Sequence, residues 1–259
     1  MTPSLALVTG ASSGIGRDLA RELADDGYDL FLSAEDAGLD AVVAELVDLG
    51  SVVGSLRADL RTGEGVEELY AAVVAGGRPL DVAMLNAGIG RGGAFVDTPL
   101  AEELDVIRLN VLGTVHLAKL VLDDMVARNA GRVLITSSVA STMPGAYQTT
   151  YNASKSFLQS FSEALQSELS ESEVVVTSLM PGPTETNFFH RAGMADTPIG
   201  KAPKDDSRQV ARQGYEALQA GKRKVVGGSR ATKAMSAATG VLPDAVKVAL
   251  HKAISAPRQ

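Results

Sequence analysis

The sequence predicts an α/β protein: a doubly wound parallel β-sheet with helices on both faces, in a single domain. Three observations carry this. Short apolar runs alternate with segments of helical spacing from residue 5 to about residue 180. The apolar runs are near-continuous, as in strands buried on both faces. No repeat, low-complexity stretch or linker divides the 259 residues, so strand–helix–strand repetition gives one sheet joined by right-handed crossovers.

Taken in order, the strands fall at 5–9, 29–33, 52–56, 82–85, 132–136 and 174–179, each a short apolar run. A seventh, shorter one is expected at 224–226. The segments between them, 15–26, 38–49, 64–75, 99–129, 151–170 and 205–220, carry helical spacing. Ligands of such sheets sit beyond the carboxyl ends of the strands, where strand order reverses. Chemistry is therefore expected just after each strand.

Composition removes several alternatives. There is no cysteine, which excludes disulfides, thiolate metal sites and thiol nucleophiles. Three dispersed histidines, His116, His190 and His251, lack metal spacing, so no metal is expected. No stretch approaches the roughly 18 apolar residues of a membrane span. The opening Met1-Thr2-Pro3-Ser4 lacks a secretory signal's basic and apolar regions, so a cytoplasmic location is expected. The net charge is −7, and the acidic body argues against nucleic-acid binding.

The first strand runs into Thr9-Gly10-Ala11-Ser12-Ser13-Gly14-Ile15-Gly16, which opens the first helix. Glycines let the backbone turn sharply and approach a pyrophosphate, while the helix N-terminus offers free N–H groups and a favourable dipole. Asp59-Leu60 follows the third strand, Asn86-Ala87-Gly88 the fourth, Thr136-Ser137-Ser138 the fifth and Pro181-Gly182 the sixth.

This series resembles the short-chain dehydrogenase/reductase family over residues 4–190, and the wording from Pro181 through Phe189 resembles its DltE-like bacterial reductases. The resemblance implies a Rossmann-like fold and a nicotinamide cofactor held by Gly10, Ser12, Ser13, Gly14, Ile15 and Gly16. It implies further cofactor contacts at Asp59 and Leu60 (adenine), Asn86, Ala87 and Gly88, Pro181, Gly182 and Thr184, and at Thr186 (carboxamide). It divides the chain into a core at 1–186, a substrate lid at 187–220 and a basic segment at 221–259. It also implies a homodimer or homotetramer built through 99–129 and 151–170.

Carbonyl reduction without metal or thiol needs a proton donor beside the carbonyl oxygen. Tyr151 and Lys155 are four residues apart and share one helix face. A nearby ammonium lowers a phenol's pKa; reaching ~7 would take about 4 kcal/mol. The resemblance assigns Tyr151 as general acid/base, Ser138 to orient the substrate oxygen, Lys155 to bind the nicotinamide ribose and Asn110 to support a water-linked relay. The implied reaction is hydride transfer between nicotinamide and a carbonyl or secondary alcohol of a small to medium apolar substrate. A non-catalytic nucleotide-binding module, or a lyase or epimerase on the same scaffold, are the alternatives; the complete tetrad weighs against the first.

Glu35 stands 19 residues beyond Gly16, where a carboxylate accepts from ribose hydroxyls and repels a 2′-phosphate. The charge argument favours NAD over NADP, although the family's usual NAD-selecting aspartate would fall at Ala34, and Arg17 and Arg57 are nearby cations. Substrate recognition is expected at Met143, Phe188 and Phe189, with packing of the two phenylalanines onto the body as the other reading. His190 reads as an exposed loop histidine. In the last segment a helix from Asp244 places Val246, Ala249, Leu250 and Ile254 on one face, with Lys247, His251 and Lys252 elsewhere. Residues 221–259 hold eight basic side chains, Arg258 among them, and no aromatic. Packing on the acidic body or a neighbouring subunit is expected rather than membrane docking.

Overall fold

Strand β1 (Leu5–Thr9) is buried along its whole length and divides its side chains between two cores. Leu5 and Leu7 point to one face, Ala6 and Val8 to the other, the period of two that a strand imposes. The computed structural model describes residues 3–47, 52–240 and 242–256. Around β1 the described strands β2 (Asp29–Ala34), β3 (Val52–Arg57), β4 (Leu80–Leu85), β5 (Gly131–Thr136), β6 (Val174–Pro181) and β7 (Lys224–Gly227) form one sheet in the order β3-β2-β1-β4-β5-β6-β7. Every pairing is parallel. The expected single-domain doubly wound sheet is what the chain forms.

Helices α1 (Gly14–Asp25), α2 (Gly38–Val47) and α9 (Ser207–Gln219) cover one face. Leu19 and Leu23 of α1, Leu39 and Leu46 of α2, and Val210 and Leu218 of α9 bury there. Helices α3 (Gly63–Val74), α5 (Thr114–Arg128) and α6 (Thr149–Glu168) cover the other with Val66, Leu69, Leu117, Val121, Met125 and Leu158. Each fully buried leucine contributes roughly 1.5–3 kcal/mol relative to exposure. The expected end of the second helix at 48–49, and Arg258, lie outside the described residues.

The segment expected as one helix over 99–129 is three. Helix α4 (Leu100–Ile107) passes into a π-helical turn (Arg108–Gly113) before α5. At Gly113 a side chain would meet the Leu60 carbonyl, a Cβ lying 2.2 Å from it. The wide turn and the missing side chain let this helix lie against the end of β3. Beyond β6 come two single-turn helices, α7 (Phe188–Arg191) and α8 (Pro198–Lys201), and beyond β7 come α10 (Arg230–Gly240) and α11 (Asp244–Ser255). Sequence patterning gave no element over 230–240. Among the described residues no helix is long and apolar enough to cross a membrane.

The chain leaves β1 outward to β2 and β3, then returns to β4 on the other side, so strand order reverses between β1 and β4. One amide fastens that junction. Asn86 Nδ2 donates to the Thr9 carbonyl at 3.2 Å, while Asn86 Oδ1 accepts from Thr136 Oγ1 at 3.1 Å. Thr9 Oγ1 accepts from the backbone N–H groups of Asn86 and Ala87 at 3.0 and 3.1 Å. Asn86→Ala leaves the Thr9 carbonyl and the Thr136 hydroxyl without this partner and is expected to cost about 1–3 kcal/mol. Urea unfolding of the variant reads this; an unchanged midpoint would show that the junction holds without the amide.

Candidate functional site

The carboxyl ends of β1, β4, β5 and β6 open on a cavity of ≈ 430 Å³, within the usual range for small-molecule sites. At one end of it is the turn Gly10–Gly16. Gly10 and Gly14 take φ of 65° and 54°, the left-handed region. A Cβ on Gly16 would lie 2.1 Å from the Gly10 carbonyl, so the turn closes only with glycine there. Ser13 caps α1 without a side-chain hydrogen bond, and no acid stands in the first helical turn. The first N–H groups of α1 therefore keep their capacity for an anion. A pyrophosphate-bearing cofactor fits this cradle.

Gly10, Ser12, Ser13, Gly14, Ile15, Gly16, Glu35, Leu60, Asn86, Ala87, Gly88, Pro181, Gly182, Thr184 and Thr186 all line the cavity. Asp59 differs: Ala58 and Leu60 face the cavity, while its carboxylate turns to Arg61, which donates from Nε at 2.8 Å and Nη2 at 2.9 Å. That bond holds the Asp59 carboxyl below its ordinary range. Arg61 also pairs with Glu35 at 3.2 Å and Asp105 at 3.4 Å. Arg17 lies 3.5 Å from Asp18. Ser12 Oγ donates to Asp36 at 2.9 Å, which joins the glycine turn to the end of β2.

The other end of the cavity holds Ser138, Tyr151 and Lys155, respectively 8%, 9% and 4% exposed. Lys155 Nζ donates to the Thr136 carbonyl at 2.8 Å and sits 5.9 Å from the centroid of the Tyr151 ring. Burial without a carboxylate partner lowers Lys155 to about 8. Burial likewise pushes Tyr151 up to about 12, with the Ser138 hydroxyl offsetting part of the rise. The Lys155 ammonium donates to a backbone carbonyl, and desolvation of the phenolate outweighs the Ser138 hydroxyl. Ser138 Oγ donates to the Pro181 carbonyl at 3.4 Å, a long bond, and accepts from the Ala140 N–H at 3.1 Å.

Asn110 is fully buried in the π-helical turn, not on an exposed helix face. Its Oδ1 accepts from the Ile89 N–H, and its Nδ2 donates to the Ile89 carbonyl and to Ser154 Oγ, at 2.9, 2.9 and 3.0 Å. It thus ties the loop after β4 to α6. A Cβ on Gly88 would come within 3.2 Å of both Asn110 Oδ1 and Lys155 Nζ, which explains the glycine of Asn86-Ala87-Gly88.

Met143, Phe188 and Phe189 line the cavity. The Phe188 ring lies 5.1 Å from that of Tyr151, while Phe189 packs with Ala192 and Met194 in a small separate core. Each phenylalanine both lines the cavity and packs. His190 is exposed. The basic segment packs over the cavity, with Leu250 and Ile254 of α11 among its walls. The face expected for α11 is corrected. His251 and Ser255 are buried and the Lys247 side chain is only 12% exposed, whereas Val246, Leu250 and Ile254 are 42%, 49% and 40% exposed.

His251 was not foreseen as a site residue, and it anchors this roof. Its Nδ1 lies 3.0 Å from the Ala146 carbonyl, an acceptor only, so Nδ1 carries the proton. Its Nε2 faces Asn152 Nδ2 at 3.3 Å, whose two protons are shared among this ring nitrogen and two backbone carbonyls. Asn152 itself holds the Ala140 and Met143 carbonyls. Burial lowers the His251 pKa from its ordinary 6.5. As pH falls below 6.5 the unfolded chain takes up the proton before the folded one, so stability falls. The wild type is expected to lose more melting temperature between pH 7.5 and pH 5 than His251→Gln does; equal losses would show that this ring does not titrate on unfolding.

Comparison with known proteins agrees with this geometry. The model of the short chain dehydrogenase family matches residues 4–196. A very-long-chain 3-oxoacyl-CoA reductase of Coccidioides immitis is 35% identical over 171 residues, covering 64% of this chain and 49% of that protein. The chain therefore spans about half of that relative's length. A short-chain dehydrogenase/reductase of Burkholderia phymatum, solved with NAD, superposes with a TM-score of 0.82 at 25% identity, covering 91% of this chain and 92% of the other. A short-chain dehydrogenase of Sphingobium yanoikuyae, solved with NADPH, gives 0.82 at 27% identity over 99% and 96%. With its motifs in register along one cavity, the chain belongs to the short-chain dehydrogenase family of nicotinamide-dependent alcohol and carbonyl oxidoreductases.

Proposed function

We propose that this protein transfers hydride between a nicotinamide cofactor and a carbonyl or secondary alcohol of a small to medium apolar substrate, with Tyr151 giving or taking the proton. The observation that carries it is the burial of Tyr151 beside Ser138 and Lys155 in the cavity that the glycine turn also lines. When bound, the nicotinamide supplies or accepts the hydride. In reduction Ser138 Oγ exchanges its long bond to Pro181 for the substrate oxygen, and Tyr151 donates its proton as that oxygen gains charge. Held near 12, Tyr151 keeps that proton throughout the neutral range and is ready as an acid. Lys155 places a positive charge beside the ribose and the phenol; Asn110 acts through Ile89 and Ser154.

The same reading favours NAD over NADP. Glu35 and Asp36 line the adenosine end, and the nearby Arg61 is shared among Glu35, Asp59 and Asp105. The Pro181–Phe189 wording supports a place among DltE-like bacterial reductases. A ketoacyl substrate is supported by the activity named for the Coccidioides relative. Assembly as a homodimer or homotetramer is supported by exposed Leu100, Leu112 and Phe157 on the α4–α6 side, and light scattering reads it directly.

The test is loss of reduced-nicotinamide absorbance with NADH and NADPH in parallel over a panel of ketones, aldehydes and diketones. Turnover is expected with NADH preferred, and Tyr151→Phe should lower it at least about 10²-fold while cofactor binding persists. Turnover that survives this substitution would remove Tyr151 from the chemistry. Because Lys155 titrates near 8 and Tyr151 near 12, reductive kcat/KM should fall as pH rises through about 8. A profile flat to pH 10 would mean that the lysine's charge does not matter to the step.

A further inference from the structure

The roof of the cavity carries a cation that the proposed chemistry leaves unused. Lys247 of α11 lines the cavity, and its side chain is only 12% exposed. The ion-paired Lys119, Lys201 and Lys224 are each more than half exposed. A lysine ordinarily keeps its ammonium in water, so one drawn this far into a cavity wall calls for a partner there. The ion-pair partner it has is Asp244, 3.4 Å away on the preceding turn of α11 and largely in solvent. A pair with so exposed a carboxylate contributes little and is readily exchanged. The anchoring of α11 fixes where the lysine stands. Lys247 lies one helical turn, about 6 Å, before His251, whose ring is bonded to Ala146 and faces Asn152, the neighbour of Tyr151 in the chain. The carboxylates of the wall, Glu35 and Asp36, belong to the adenosine end. An anion entering beneath α11 therefore meets a cation and no like charge from the described wall.

We propose that Lys247 is a specificity-determining residue that binds a carboxylate at the far end of the substrate, so that the enzyme selects oxo acids whose carboxylate is separated from the reacting carbonyl by an apolar chain. This rests on the reductase reading above and deepens it by placing a charge on the substrate. The reacting oxygen meets Ser138 and Tyr151. The chain lies along the apolar wall of Met143, Phe188, Leu250 and Ile254, and the carboxylate takes the place of Asp244 at the Lys247 ammonium. One lysine matches one negative charge. A phosphate dianion is better held by the fork of an arginine, and the arginine of this wall, Arg191, stands 4.0 Å from Asp36 at the other end.

The experiment measures kcat/KM for methyl-ketone acids of increasing chain length and for their methyl esters, with an oxoacyl-coenzyme A thioester as a third arm. The proteins are the wild type, Lys247→Gln and Lys247→Arg. At one chain length the wild type should prefer the acid to its ester by about tenfold or more. Lys247→Gln should remove that preference, chiefly by raising KM for the acid while the ester is unaffected, and Lys247→Arg should keep most of it. Raising the salt concentration should shrink the wild-type preference, and this arm carries the test if the glutamine variant does not fold. A wild type that prefers the acid at no chain length, or a preference that Lys247→Gln leaves intact, overturns the proposal and leaves the reductase reading standing. So does a loss in Lys247→Gln confined to the thioester, since the lysine would then serve a carrier's phosphate. No turnover of any of these compounds by the wild type, with cofactor binding intact by thermal shift, sinks the reductase reading and this proposal with it.

Discussion

Everything in the site depends on how closely β1 and β4 approach at their carboxyl ends. Strand order reverses there, so the loops after the two strands diverge and leave a crevice. Divergence alone would also let the strand ends splay. The Asn86 amide prevents this by bonding to Thr9 on one side and Thr136 on the other, which joins three strand ends in one plane. Gly10 needs the same closeness, since a Cβ there would lie 3.0 Å from Ala87 Cα. The glycine turn, the loop after β4 and the carbonyl that holds Lys155 are therefore positioned from a single knot.

Around that knot the chain spends polar groups in pairs and leaves a few without charge partners. Lys155 lies buried with a carbonyl for company and Tyr151 with a hydroxyl, so both are moved toward their neutral forms. A carboxylate beside Lys155 would have stabilised the ammonium and fixed it in place. Its absence among the described contacts leaves Lys155 nearer neutrality, while burial carries Tyr151 further from it. The acids gather instead at the adenosine end, around Arg61. One cavity thus carries two electrostatic characters, an acidic shelf and a desolvated, weakly cationic floor.

Much of this was legible in the sequence because it is local. Strand β1 was placed to the residue and the others within two residues at each end, since the inner strands are buried apolar runs; only the edge strand β3 departs, alternating half-buried with exposed residues. The motifs after each strand were legible for the same reason. What escaped depends on contacts distant in sequence. The π-helical turn at 108–113 ends at Gly113, which lies against the Leu60 carbonyl, a contact that no pattern within 99–129 reveals. The pairing of Asp59 with Arg61 was not legible from the motif alone. The face of α11 was misjudged because hydrophobicity pointed to Val246 and Leu250, whereas the docked stripe is Lys247, His251 and Ser255. A histidine with a polar partner facing each nitrogen is as buriable as an apolar residue, but only a structure shows the partners.

That last contact joins distant parts of the chain. His251 meets Ala146 and Asn152, 105 and 99 residues earlier, and α11 helps to wall a cavity whose other end begins at Gly10. Closing loops of that length is slow relative to forming any one helix or neighbouring strand pair. Wherever α11 is undocked, Leu250 and Ile254 no longer close the apolar wall of the cavity, and exposed apolar surface of that kind is what makes a chain aggregate.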